Sequence, residues 1–177
     1  MLLTLLLFTF GLIIGSFIGA LSYRLPKGVS IASGRSSCPK CKNKISWYDN
    51  IPVISYLILL GKCRSCKSKI SMRYPLIEIS TATVFVLVGL EPFMLFISAL
   101  LITIFVIDYE HMIIPDELVF IGLLLFVVFS LITIHYSLFT SLLAGFTSAL
   151  VLLLIHLVTR GRGMGLGDVK LAILLGA

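Results

Sequence analysis

Charge is scarce in this chain. Aspartate and glutamate together number only 8 of 177 residues, charged residues make up 12%, and 59% are hydrophobic. With a mean hydropathy of +1.13, too little polar surface remains to cover a soluble domain of this size. That excludes an ordinary water-soluble fold and leaves a multi-pass membrane protein. Acid is scarcest between Arg24 and Arg73, where Asp49 alone opposes eleven basic residues. No positive residue precedes the first apolar run, Met1 to Ser22; Arg24 and Lys27 follow it. A cleaved signal peptide has the opposite order, so the run reads as a first span with its N-terminus outside. Histidines at metal-ligand spacing are missing too, and His111, His135 and His156 read as interfacial residues. The net charge of +6 reports orientation before it reports any nucleic-acid partner, because a basic excess beside membrane spans marks the cytoplasmic side.

The organisation that follows is all-α and polytopic, in three parts. Residues 1–22 form the first transmembrane helix, with Gly11, Gly15, Ser16 and Gly19 on one small-residue face suited to close helix packing. Residues 23–74 form a basic cytoplasmic loop. Residues 75–177 form the membrane core, with apolar runs at 76–90, 93–107, 118–134 and 138–158, an external turn at 135–137, and a start of another at 169–177. About six transmembrane helices are expected, the last incomplete, since a nine-residue helix is too short to cross.

All four cysteines lie in the basic loop, as Cys38-Pro39-Lys40-Cys41 and Cys63-Arg64-Ser65-Cys66. The surrounding strings CPKCKNKIS and CRSCKSKIS form an internal repeat offset by 25 residues. Two such knuckles can bring four thiolates to one tetrahedral zinc ion, a structural site because its coordination shell is closed. Two disulfides are the competing reading, which a reducing cytosol disfavours. Between the knuckles, residues 51–60 are apolar but too short to span, and are expected to lie against the membrane or to pack under the knuckles.

Three acids sit at the same edge of the membrane segments: Asp108, Asp116 and Asp168. Asp116 follows Pro115 and suits a helix first turn, where an acid complements the dipole. Asp108 continues an apolar run, and Asp168 ends Gly165-Leu166-Gly167-Asp168 between two apolar runs. Acids so placed are costly and point to function. The absence of side chains at Gly165 and Gly167 would permit unusual turns and let a substrate backbone, or the Asp108 helix, come close to Asp168. Two neighbouring carboxylates can work as acid and base on a water and a peptide carbonyl. The alternative is a pair of solvated helix-end acids. Glu78, one turn into a span, could hold an amine of substrate or cofactor, or pair with a basic residue such as Arg73. Lys170 and Arg162 are expected to extend toward the headgroups.

Residues 107–116, IDYEHMIIPD, together with GLGD at 165–168 and the following Val169-Lys170-Leu171, resemble the type IV prepilin leader peptidases, a family of GxGD membrane aspartic proteases. GSF at 15–17, YRLP at 23–26, WYDNIP at 47–52, GKCR at 61–64 and RYPLIE at 73–78 agree with it independently. The resemblance implies a bacterial cytoplasmic-membrane enzyme that removes the basic leader from prepilins and pseudopilins, usually after a Gly. It also implies, in many members, N-methylation of the new N-terminal residue by S-adenosylmethionine. By motif position Asp108 and Asp168 would be catalytic, and the four cysteines would form the zinc domain linked to methylation. Many relatives carry an Asn after GSF where this chain has Ile18-Gly19-Ala20, and members continue past the GxGD segment with further helices. A rival reading is a non-catalytic membrane-anchored zinc module that docks an assembly partner. An ion transporter would carry acids deep within several spans, and these acids sit at one edge. Oligomeric state and the particular prepilin are not legible.

Overall fold

The computed structural model describes residues 1–30, 36–133, 138–162 and 164–176. Among these residues the regular structure is helical: α1 (Leu2–Arg24), α2 (Ile54–Ile58), α3 (Arg73–Val88), α4 (Pro92–His111), α5 (Asp116–Thr133), α6 (Leu138–Val158) and α7 (Leu166–Gly176). The external turn expected at 135–137 lies outside the described residues. Among the described residues four helices are long and apolar enough to cross a bilayer: α1 with its continuation to Lys27, α4, α5 and α6. With 16 residues, α3 is about 24 Å long, short against a hydrocarbon core of roughly 30 Å.

The helix bounds differ from the apolar runs where polar residues extend them. Membrane-edge residues continue the helix because its backbone bonds are satisfied within the segment whatever the side chain. Thus α3 begins at Arg73, α4 runs on through Asp108 to His111, and α7 begins at Leu166 rather than at Val169. Two compact units result, Met1–Val106 and Ile107–Ala177.

In the first unit α1 packs along α3, and the small-residue face is the contact. A Cβ at Gly11 would stand 2.5 Å from Ala82 Cα, one at Gly15 2.6 Å from Glu78 Cα, and one at Gly19 3.2 Å from the Tyr74 ring. The partners step backward by four as the glycines step forward by four, so the helices run antiparallel in a fixed register. Phe85, Ile18, Thr81 and Ser22 are buried along the same seam. Arg73 closes the end of the seam at Ser22, donating from Nη2 to Ser22 Oγ at 2.7 Å and from Nη1 to the Gly19 carbonyl at 3.4 Å. In the second unit Ala149, Val169 and Ala172 form a buried cluster between α6 and α7. There Ser148 Oγ donates to the Ala172 carbonyl at 2.9 Å.

Because Gly15 faces backbone, it has no flexible atom to displace. Gly15→Val is expected to push α1 off α3 and to cost roughly 1–3 kcal/mol, read as a lowered thermal midpoint in detergent. Ile13→Val, on an exposed position of the same helix, serves as the control and should leave the midpoint unchanged.

Candidate functional site

The cysteine repeat folds as a structural repeat. In each knuckle the N–H of the first cysteine donates back across the turn, Cys38 to the Asn43 carbonyl at 3.0 Å and Cys63 to the Ser68 carbonyl at 2.8 Å. Each turn closes with a lysine N–H bonded to that cysteine's carbonyl, Lys42 to Cys38 and Lys67 to Cys63, at 2.9 and 3.0 Å. Both lysines sit in the left-handed region, at φ 61° and 57°. Antiparallel bridges, Ser37 with Lys44 and Lys62 with Lys69, tie the arms. Equivalent strings thus make equivalent knuckles, and the two meet.

All four Sγ atoms lie within 4.8 Å of one another, and Cys38 Sγ is 3.8 Å from Cys66 Sγ. Bonded sulfurs would be about 2.0 Å apart. Tetrahedral thiolates at about 2.3 Å from a metal stand about 3.8 Å from each other. The four cysteines are free thiols in an arrangement that could hold one metal ion. Backbone N–H groups of Cys41 and Lys40 aim at Cys38 and lower its pKa to about 6. Cys41 also receives a backbone N–H, from Asn43, but desolvation and the three other sulfurs outweigh it and push that thiol up to about 11. A bidentate pair braces the cluster: Arg64 donates to Asp49 from Nε at 2.8 Å and from Nη2 at 2.6 Å. The guanidinium holds the Asp49 carboxyl below the usual range. This is the one acid in the basic window, and its isolation was the available signal for such a role.

Glu78 is 6% exposed, and a backbone group binds it. Its Oε2 accepts the Val53 N–H at 2.7 Å, and Ser16 of α1 lies beside it. Arg73 instead reaches α1, as described above. A backbone donor 25 residues earlier in the chain left no trace in the residue pattern.

Both candidate aspartates belong to the second unit. Asp108 lies in the last turn of α4 and is exposed; its carbonyl accepts the Met112 N–H at 2.8 Å. Asp168 lies in the first turn of α7, half-buried, and its Oδ2 accepts the Gly165 N–H at 3.0 Å. Among the described residues no hydrogen bond joins the two carboxylates. What the structure brings together is the chain around them. A Cβ at Gly167 would stand 3.2 Å from Ile114 Cβ, in the connection that follows Asp108. Lys170, just past Asp168, grips Asp116 at the head of α5, with Nζ 2.7 and 2.8 Å from its two oxygens. The pair is solvent-exposed and contributes little stability, but it joins the same two segments as the Gly167 contact. Neither Gly165 nor Gly167 has a positive φ, so neither uses the left-handed region. A Cβ at Gly165 would make ordinary contact, 3.5 Å from Asp168 Oδ2. Of the two glycines only Gly167 is needed for close approach, and Ile114 is what approaches. His156 is structural: its Nδ1 lies 2.7 Å from the Met164 carbonyl.

Known proteins complete this picture. Residues 9–91 match the Bacterial Peptidase A24 N-terminal domain and residues 95–177 match the Type IV leader peptidase family. The chain belongs to the type IV leader peptidase family. The Prepilin leader peptidase/N-methyltransferase of Vibrio cholerae is 36% identical over 191 residues, covering 93% of this chain and 73% of that protein. The Bacillus subtilis protein of the same name is 37% identical, over 97% of this chain and 71% of its own. That of Pseudomonas aeruginosa is 35% identical, over 94% and 69%. No solved structure matches the chain. Family membership makes this protein a peptidase of the membrane, and the two matched regions meet near the start of α4.

Metal uptake must expel the protons that the thiols hold, Cys41 above all, so affinity is expected to rise with pH up to about 11 and to fall in acid. Each thiol deprotonated contributes roughly tenfold per pH unit. Competition against a chromophoric chelator at about pH 6, 7 and 8 checks this, and Cys41→Ser should remove most of the metal at every pH.

Proposed function

We propose that this protein removes the basic leader peptide from prepilin-like substrates at the cytoplasmic face of the bacterial inner membrane, with Asp108 and Asp168 as the catalytic carboxylates. The observation that supports this most is the contact of Gly167 with Ile114, which ties the segment bearing Asp168 to the one leaving Asp108. One carboxylate, ionised, takes a proton from a water as that water attacks the scissile carbonyl. The other, protonated, donates to the departing amine nitrogen. The exposed Asp108 is open to an extended peptide, and Gly165 keeps Asp168 Oδ2 oriented through its N–H.

Charge supports the orientation. Arg24, Lys27 and the lysines of the knuckles flank α1 and α3, and Arg160 and Arg162 follow α6. Placing them in the cytoplasm puts the N-terminus outside. Alternate crossings then bring the end of α4, the start of α5 and the start of α7 to the cytoplasmic face, where a basic leader would lie. Zinc is the ion a four-thiolate shell suits, and when bound it would cross-link the two knuckles as a structural site with no open coordination position. The relatives are named as N-methyltransferases also. A second reaction on the newly exposed N-terminus, with S-adenosylmethionine as methyl donor, accords with that, and no residue of this chain is assigned to the donor.

Asp108→Asn and Asp168→Asn are each expected to lower cleavage by roughly 10²–10⁴-fold, measured in membranes by the mass shift of a substrate with a basic leader and a Gly-Phe junction. Undiminished processing by either variant would remove the dyad and leave a membrane-anchored metal module as the better description. Metal analysis of the purified protein is expected to find zinc, about one per chain.

A further inference from the structure

Residues 51–60 combine three properties. First, their apolar side chains face outward: Ile54 is 53% exposed, Leu57 64%, Ile58 71% and Leu60 80%, with Trp47 75% exposed just before them. Second, their backbone bonds are made within the segment, Ser55 N–H to the Ile51 carbonyl at 3.1 Å, Leu57 to Val53 at 3.0 Å and Leu59 to Ser55 at 2.9 Å. Ser55 Oγ ties the segment to the preceding turn through the Tyr48 carbonyl at 2.6 Å. Third, the Val53 N–H, left over because Val53 precedes the helix at φ 58°, is taken by Glu78 Oε2. Outward apolar groups over a satisfied backbone are what a non-spanning segment needs in order to sit in lipid. In water the same surface would be an exposed apolar patch without a partner.

Depth follows from the helix register. Gly15 lies against Glu78, and α1 runs on for nine residues to Arg24, about 13 Å at 1.5 Å per residue. A glutamate on a helix leans toward its N-terminus, so Glu78 Oε2, and Val53 with it, lies somewhat above that level. With Arg24 and Lys27 among the headgroups, Val53 falls at the boundary between the interfacial layer and the hydrocarbon, since each interface is only several ångström thick. The knuckles on either side carry Lys40, Lys42, Lys44, Lys62, Lys67 and Lys69, all exposed, a polybasic set of the kind that acidic lipid attracts at about 1 kcal/mol per charge.

We propose that residues 51–60 are a re-entrant wedge seated in the interfacial layer of an acidic phospholipid bilayer, held there by Glu78, with the knuckle lysines on the headgroup phosphates. The wedge is continuous with the lipid around α1 and α3, and it does not depend on the chemistry of Asp108 and Asp168.

Trp47 is the single tryptophan of the chain and reports on the wedge without labelling. The full chain is reconstituted in vesicles of zwitterionic lipid with anionic phosphatidylglycerol at zero or about a third. Lipids brominated near the headgroup should quench its fluorescence at least about twofold, lipids brominated near the chain ends less, and acrylamide should reach it poorly. Quenching by the shallow lipids should grow with the anionic fraction. A Trp47→Phe, Ile58→Trp variant should behave likewise from within the wedge, and Glu78→Ala should weaken the lipid quenching in either background whereas Glu78→Gln, which keeps an acceptor, should not. Full access to acrylamide without lipid quenching would put the segment in water and overturn the proposal. Shielding from both quenchers would mean that protein covers it and would overturn it equally. Lipid quenching indifferent to anionic lipid would remove the lysine–headgroup half.

Discussion

How closely α1 and α3 approach sets the geometry of the whole N-terminal unit. Two apolar helices in lipid have no hydrophobic reason to associate, because lipid tails solvate leucine as well as leucine does; what remains is dispersion at short range and the few polar bonds that close approach permits. Gly11 and Gly15 make that range short. At Gly15 the neighbouring helix comes within 2.6 Å of where a Cβ would be, and the neighbour there is Glu78. The glycine that lets the helices touch is therefore the residue that buries the carboxylate.

That burial is expensive, and its compensation explains the loop above it. An acid in apolar surroundings must be hydrogen-bonded. Glu78 obtains the Val53 N–H from the loop, and Ser16 of α1 lies beside it. Val53 is β-branched and sits at φ 58°, ψ −50°, near the γ-turn region, where backbone strain costs of order 1–3 kcal/mol. A hydrogen bond to a charged or buried acceptor is worth about as much. The strained turn and the buried acid thus each stabilise what the other would otherwise make unfavourable. Through them the cysteine knuckles are referenced to the helix pair.

This explains which parts of the molecule were legible beforehand. Periodicity and charge located the spans, and the 25-residue repeat predicted two like knuckles whose thiols converge, because both are statements about local pattern. Helix ends were less legible. Asp108 reads as continuing its span and lies in α4, but Asp168 reads as preceding its own and yet lies inside α7, since backbone hydrogen bonding continues through polar residues that hydropathy treats as boundaries. Least legible were contacts between a side chain and a distant backbone group. Glu78 was visibly out of place, but its partner is an amide, and every residue except proline has one. The same holds for Gly167, whose missing side chain pointed to a close approach without naming Ile114.

The two units use one device at different scales. In the first, a glycine admits a neighbouring helix and a charged residue beside it ties down a loop. In the second, Gly167 admits Ile114, and Lys170, three residues on, holds Asp116. The difference is exposure. Glu78 is sealed, whereas the Lys170–Asp116 pair remains 49% and 69% exposed and is correspondingly weak. A loop whose four cysteines are placed to hold one metal ion benefits from rigidity. Under the proposed function the second unit must instead admit an extended peptide between Asp108 and Asp168, and segments joined by one tight contact and one exposed ion pair can part and close again at little cost.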